Sequence, residues 1–316
     1  MNGVFHRELF IDFCKKEVGV GGPDPQMKIL GELCKGVSFR DKMMLAGLYA
    51  IIYDVSSAEY AWNMLLKDNT TIESFVNDHW DSLVIRTERR CVRTKLNFIE
   101  CVRAYSKWSS LRKHRYVRYR GRKLYDYMWN ETTSLPYIGR YSGIKLLRAI
   151  RECAGIPIVE YDIRPKDAWS PRAALGLLYP KHADKLNDKS TNVEFVHGIS
   201  TKALSLVNYL GVGYYELQAL LCEYRETLKG NRFYPGRSHD EVLENFYQKK
   251  NLRGETGIFS ARRKLFPKEC LGEYGNRWKG VRKPLQATWK DHGYIWCDLL
   301  YEYKEPFNSK SPISRR

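Results

Sequence analysis

Residues 134–162 read S-L-P-Y-I-G-R-Y-S-G-I-K-L-L-R-A-I-R-E-C-A-G-I-P-I-V-E-Y-D. A tight Pro/Gly turn (Leu135-Pro136-Tyr137-Ile138-Gly139) stands directly ahead of an amphipathic run in which Ile144, Leu146, Leu147 and Ile150 recur at helical spacing. Gly139 is expected to take a positive φ in the turn and to leave the first N–H groups of the following helix bare. Amides exposed at a helix N-terminus form a ready phosphate site. The competing interpretation is an ordinary helix–turn–helix in which the glycine only caps a helix end.

The composition agrees with a polyanionic partner. Across 316 residues, Lys and Arg number 53 against 36 Asp and Glu, a net charge of +17. Such an excess points first to nucleic acid and second to an anionic membrane surface. Hydrophobic residues make up 43%, so a folded core is expected. No run reaches the length of a membrane span, and the charged start Met1–Glu8 is unlike a signal peptide. A soluble intracellular protein without membrane contact is therefore expected. The eight cysteines stand singly with no C-x-x-C, which argues against zinc ribbons and four-cysteine iron–sulfur loops, and no metal site is expected.

Helical periodicity dominates outward from the opening stretch, and the expected class is all-α. Asp41 is expected to cap a helix over 42–53, with Met44, Leu45, Leu48, Ile51 and Ile52 on one side. The D-V-S-S segment at 54–57 should break it, with Ser57 starting a second helix. Thr70-Thr71-Ile72-Glu73 has the form of a capping box ahead of a third. A longer helix is expected over 94–108, with Leu96, Ile99, Val102 and Ala104 apolar. The segment R-P-K-D-A-W-S-P-R (164–172) is expected to be a Pro-punctuated loop, and 181–192 an exposed polar loop. Further helices are expected over 193–210, ending at Gly211-Val212-Gly213, and over 214–227 with Leu217, Leu220, Leu221 and Tyr224 inward.

Basic charge is densest in R-K-H-R-Y-V-R-Y-R-G-R-K, residues 112–123. Arg112, Lys113, Arg115, Arg118, Arg120, Arg122 and Lys123 alternate there with Tyr116 and Tyr119, and Tyr125, Tyr127 and Trp129 follow. Cations neutralise phosphates and rings stack bases, so this is the candidate DNA-binding stretch. A solvated basic face over packed tyrosines would have the same composition.

The L-P-x-φ-G-R turn, the helix after it, and the P-x-x-x-x-D ending at Asp162 together resemble the helix-hairpin-helix of DNA base-excision glycosylases. The resemblance implies a hairpin that grips one DNA strand and an Asp that acts on a flipped nucleotide. The lyase branch has a Schiff-base lysine where this chain has Tyr141, and Lys145 lies one turn further on, so a covalent lyase is disfavoured. Four further pieces narrow the resemblance: F-x-D-K-M-M-L-A-G-L-Y (39–49), Y-D-V-S-S-A (53–58), Y-E-L-Q-A-L-L-C-E-Y-R (215–225) and Y-P-G-R (234–237). With the hairpin they are similar to the phage α-glutamyl/putrescinyl thymine pyrophosphorylases, also called amino acid:DNA transferases. That similarity implies one DNA-glycosylase-like helical domain over 1–307, with lobes of roughly 1–130 and 131–307 and a frayed tail at 308–316. It also implies a transferase of thymine hypermodification in the cytoplasm of an infected host. An amino acid or polyamine would replace the pyrophosphate of 5-(pyrophosphoryloxymethyl)uracil in double-stranded DNA.

No P-loop, no dinucleotide fingerprint and no deaminase H-x-E with P-C-x-x-C occurs, which leaves carboxylates, arginines and backbone amides for chemistry. An amine must lose a proton before it attacks, which calls for a base. Asp162 is the first candidate, followed by Glu160, Glu216 and Glu223; Glu216 and Glu223, seven apart, share a helix face. Asp162 could instead cap a neighbouring amide. A pyrophosphate leaving group calls for guanidinium forks and a polar cradle, for which Gly139, Arg140, Tyr141, Lys145, Arg164, Arg172, Arg225 and Arg237 are the candidates. Each arginine alone could equally be a surface residue. Tyr137, Tyr141 and Trp169 are candidate wedging or stacking rings. Mg²⁺ assistance of the leaving group stays open. The alternatives to a transferase are a monofunctional glycosylase and a non-catalytic DNA-binding module.

Overall fold

The computed structural model describes residues 3–67, 70–85, 91–111, 118–163, 169–188, 190–228 and 257–266. Among them there are helices and single 3₁₀ turns and no strand. The all-α expectation holds. The described residues fall into two compact units: one of 3–24 and 160–228, the other of 25–159 and 257–266. This division differs from lobes meeting near residue 130. The helix after the hairpin groups with the helices before it, because it packs on them.

The unit of 25–159 is built around α3 (Phe39–Ile52). Around it stand α4 (Val55–Lys67), α6 (Lys95–Leu111) and α8 (Arg140–Ala154), and α2 (Pro25–Leu33) packs on α8. Two further helices, α5 (Ile72–His79) and α7 (Gly121–Thr133), pack on α6 and α8 respectively. The last described helix, here α13 (Ile258–Leu265), returns to lie on α2. Glu59 accepts the Gly257 N–H at 2.6 Å, and Lys264 pairs with Glu32 at 2.6 Å.

In α3 the residues from Leu45 to Ile52 are all buried, so the expected one-sided stripe is replaced by a helix covered all round. Its start also differs. Ser38 is the N-cap, its Oγ accepting the Asp41 N–H at 3.2 Å and donating to Asp41 Oδ2 at 2.7 Å, so Asp41 answers the cap from inside the first turn. The expected break at 54–57 shrinks to Tyr53 and Asp54. Tyr53 takes the left-handed conformation (φ 61°) that ends α3, and Asp54 begins α4 by accepting the Ser57 N–H at 2.8 Å. Gly47 lets α6 come close: a Cβ there would meet the Tyr105 ring at 2.1 Å, and the Tyr105 hydroxyl donates to the Met43 carbonyl at 2.7 Å. Thr71 caps α5 and Thr94 caps α6. Leu96 is 73% exposed, since it falls on the outer side of the first turn of α6.

The other unit packs α1 (Gly3–Gly19), α9 (Trp169–Leu178), α10 (Ala183–Asn187), α11 (Val193–Ser205) and α12 (Tyr214–Leu228) around Phe10, Phe13, Leu175, Leu178, Leu217, Leu220, Leu221 and Tyr224. The expected loop at 164–172 is helical from Trp169 onward. Pro171 lies in the first turn, where its missing N–H breaks no hydrogen bond. The expected loop at 181–192 contains α10, whose Leu186 is fully buried. Between α11 and α12 the chain makes a 3₁₀ turn and reverses at Gly211 (φ 76°).

Inside this unit His6 is buried, its Nδ1 3.0 Å from the Tyr224 hydroxyl. Burial lowers the His6 pKa, so the unfolded chain takes up the proton first as the pH falls. Its contribution to stability is therefore complete above the ordinary histidine pKa of about 6.5 and shrinks below it. Chemical denaturation at stepped pH should show this loss of stability in the native protein and a flatter profile for His6→Asn. Gly47→Ala should destabilise the protein by roughly 1–3 kcal/mol through overpacking against Tyr105, read from the denaturation midpoint.

Candidate active site and nucleic-acid interface

The hairpin between α7 and α8 is closed by the Ile138 N–H bonding the Leu135 carbonyl at 3.1 Å. Its positive φ is at Tyr137 (60°), while Gly139 is extended (φ −74°, ψ 178°). This corrects the expectation for Gly139. Tyr137 is held there by its hydroxyl, which donates to Glu100 at 2.8 Å, and the Pro136 carbonyl accepts from the Cys101 thiol at 3.3 Å. The glycine has a different value: a Cβ at 139 would meet nothing within 4 Å, so it stands at open space where α8 begins. Gly139 brings no capping side chain, and Arg140 in the first turn is exposed.

Behind this entrance α8 buries Ile144, Leu146, Leu147 and Ile150 as its spacing requires. Lys145 is buried with them, 5% exposed. Its Nζ lies 5.1 Å from the Tyr53 ring centre and 5.9 Å from that of Tyr141. The Tyr141 hydroxyl donates to the Tyr53 hydroxyl at 3.1 Å. Tyr53 was not among the expected site residues. Its signal was local: a bulky residue at the very end of an apolar helix, immediately before a capping Asp.

Of the basic stretch, Arg118, Arg120, Arg122 and Lys123 are described, and all are exposed at the start of α7. Arg122 is 3.6 Å from Asp126. Tyr119 stacks on Tyr127 with ring centres 4.7 Å apart, whereas Tyr125 and Trp129 belong to the core. Arg112, Lys113, Arg115 and Tyr116 lie outside the described residues, as do Arg164 and Arg237.

The carboxylate candidates all belong to the other unit. Glu160 is buried, and Asp162 is half-buried next to the buried Ile163. Glu216 accepts the Gly213 N–H at 3.0 Å, the reach-back of a capping box at the start of α12. Glu223 is half-buried two turns on, and with Glu17 it pushes the buried Cys14 thiol upward after burial itself. Two arginines are tied to their own unit. Arg172 donates to the Leu186 carbonyl at 2.8 Å and the Asp188 carbonyl at 2.5 Å, pinning α9 to the end of α10. Arg225 donates to Ser170 and to Glu226, both at 3.1 Å. Burial lowers the pKa of both guanidinium groups. Trp169, at the start of α9, is 38% exposed.

Among the described residues no group of three or more His, Cys, Asp or Glu is placed to hold a metal ion. Described cysteines are all thiols, and no described helix is long and apolar enough to cross a membrane.

A family model described as amino acid:DNA transferase matches residues 38–233. The chain belongs to that family. For an amino acid:DNA transferase, the matched span begins at the Ser38 cap and takes in the hairpin, Lys145, Asp162 and all of α12. The helices α1, α2 and α13 stand outside it. No curated protein and no solved structure matches the chain.

Gly139→Ala separates fold from phosphate approach. An added methyl has room in the protein, and only a group resting on the start of α8 would meet it. Stability should fall by no more than about 1 kcal/mol, the cost of a poorer N-cap at the start of α8. DNA affinity, read by fluorescence anisotropy, should fall several-fold.

Proposed function

We propose that this amino acid:DNA transferase acts in viral thymine hypermodification, replacing the pyrophosphate of 5-(pyrophosphoryloxymethyl)uracil in double-stranded DNA with an amine. The observation that carries the reading is the family match, because one continuous span contains both the hairpin and Asp162. The amine is a free amino acid or a polyamine, and the setting is the cytoplasm of an infected host. In the reaction the amine nitrogen bonds the 5-methylene carbon, the carbon–oxygen bond breaks, and pyrophosphate leaves with the electron pair. The ammonium proton passes to a base before attack.

Asp162 is the base we assign. Glu160 and Glu223 follow, since both have carboxylates in protein surroundings, where a base is held in place. Glu216 ranks last because its carboxylate serves the start of α12. Arg140 and Lys145 suit the anionic substrate, joined by Arg164 and Arg237 by residue type. Arg172 and Arg225 would have to give up carbonyl or hydroxyl partners to help, which makes them weaker candidates. DNA contact rests on the hairpin, on Gly139 in particular, and on the exposed cations of α7. Should Mg²⁺ take part, a carboxylate of the protein would hold it, and it would supply positive charge that stabilises the departing pyrophosphate.

Nucleoside mass spectrometry tests the reading on DNA bearing the pyrophosphorylated base, incubated with mixed amino acids and polyamines. A new nucleoside whose mass fits one added amine, together with released pyrophosphate, is the expected result. Alkali-labile abasic sites would point to a glycosylase instead, and unchanged nucleosides would remove the transferase reading. Asp162→Asn should lower product formation about 10²–10⁴-fold while leaving DNA affinity intact.

A further inference from the structure

Tyr209 is 62% exposed, more than any other Phe, Tyr or Trp among the described residues. It stands in the 3₁₀ turn Asn208–Leu210 that joins α11 to α12. Surface tyrosines ordinarily bury the ring and turn only the hydroxyl to water. Among the described residues this ring has no contact with another ring or with a cation, and its hydroxyl has no hydrogen bond. Lys202, exposed near the end of α11, likewise has no ion pair among the described residues. Water gains little from an open ring face, and a flat apolar partner would gain more.

The corner beneath the ring is held firmly. Ala203, Val207, Val212 and Leu217 are buried in the core of the unit. Thr201 Oγ1 and the Tyr214 hydroxyl lie 2.7 Å apart, and the His197 and Tyr214 rings meet with centres 5.5 Å apart. The Tyr215 hydroxyl donates to Asp24 at 2.6 Å, and Glu216 accepts the Gly213 N–H. Where the chain reverses at Gly211, a Cβ would meet nothing within 4 Å, so the backbone there borders open space. Exposed residues fall at 201, 202, 205, 208 and 209, the period of helical and 3₁₀ turns, which makes one outer edge of them. A rigid mount with an unengaged ring and an unengaged cation on its outer edge is pre-organised for binding.

We infer that the α11–α12 corner is a DNA contact in its own right, with the Tyr209 ring packed on sugars and bases of a strand and Lys202 on a phosphate. The inference rests on DNA as the substrate, which the family supplies, and not on which base or amine is used. The corner lies inside the matched span. Charge favours DNA as the occupant. From Phe195 to Tyr215 the chain has no Asp or Glu, so nothing on this edge repels a polyanion. Glu216, the carboxylate next in sequence, is engaged by the Gly213 N–H. A second copy of the chain suits the corner less, because each copy carries +17 and repels the other. Ring packing on nucleotides tolerates any sequence, since every base has a flat face. The corner therefore adds affinity without choosing a base.

Fluorescence anisotropy with an unmodified duplex, repeated across a KCl series, tests both parts. Tyr209→Ala should weaken binding about fivefold, with the slope of log K against log salt unchanged because no cation is lost. Tyr209→Phe and Tyr209→Trp should bind within about twofold of native, since each keeps a ring. Lys202→Gln should flatten the slope by about 0.9, the share of one phosphate contact. Both side chains are exposed, so the melting midpoints should stay native. Native affinity in Tyr209→Ala, or a loss in Tyr209→Phe as large as in Tyr209→Ala, overturns the ring contact. A native slope in Lys202→Gln overturns the phosphate contact. Self-association by sedimentation that Tyr209→Ala abolishes, with DNA affinity unchanged, would give the corner to a second copy instead. The assay needs no amine and no turnover. A protein that loses affinity in Tyr209→Ala but makes no aminated nucleoside would keep this contact and lose the transferase reading, and the reverse pattern would do the opposite.

Discussion

A helix that is apolar on every side has to be surrounded, and α3 imposes that constraint on its unit. From Leu45 to Ile52 it offers nothing to water, so α4, α6 and α8 pack around it. The absence of a side chain at Gly47 allows α6 to press the Tyr105 ring against the backbone, and the Tyr105 hydroxyl then bonds a carbonyl of the same helix. Such a helix cannot slide or rotate without opening a void. Its end is therefore a fixed point. Tyr53 sits at that end in a left-handed conformation that costs an L-residue about 1–2 kcal/mol, and the surrounding packing over-determines it. The position of Tyr141 and Lys145 beside Tyr53 follows from the packing of α8 along the same helix.

The unit of 3–24 and 160–228 uses its charged groups differently. Arg172 holds α10 to α9, Arg225 ties α12 to Ser170 of α9, and Glu216 closes the first turn of α12. A buried guanidinium that already bonds two carbonyls is expensive to redirect, because its departure would strand both acceptors. Residue type alone made these arginines and this glutamate look equivalent to the rest. Their hydrogen bonds divide the pool into groups that build the unit and groups still suited to chemistry. Asp162 and Glu160 lie after α8 and outside the described helices, Glu160 buried and Asp162 half-buried.

What the sequence revealed follows from how local each determinant is. The inward faces of α8 and α12 were legible because their apolar spacing is regular: Leu146, Leu147, Leu217, Leu220, Leu221 and Tyr224 are all fully buried. The start of α3 was displaced because Ser38 and Asp41 form a reciprocal pair, and either residue alone looks like a cap. Pro171 suggested a loop, although a proline in the first helical turn forfeits nothing. The hairpin's positive φ was assigned to the only glycine in the turn, yet it falls on Tyr137, whose hydroxyl is anchored to α6 by Glu100. That anchor is a contact between residues 37 apart in sequence, and no local rule contains it. The contact made by Tyr53 was hidden for the same reason, since its partner Tyr141 is 88 residues away.

Charge and recognition have to be separate in such a protein. A net +17 gives attraction to any DNA and grows weaker as salt rises, whatever the sequence beneath. Contacts to phosphates fix register and carry no information about which base is modified. On the reading proposed above, the transferase must nevertheless find one altered base among many ordinary ones, so selection has to arise where the base itself is held. The exposed cations of α7 and the open backbone at Gly139 can supply only the first part. Selection of the base then falls to groups that act at short range in a fixed geometry.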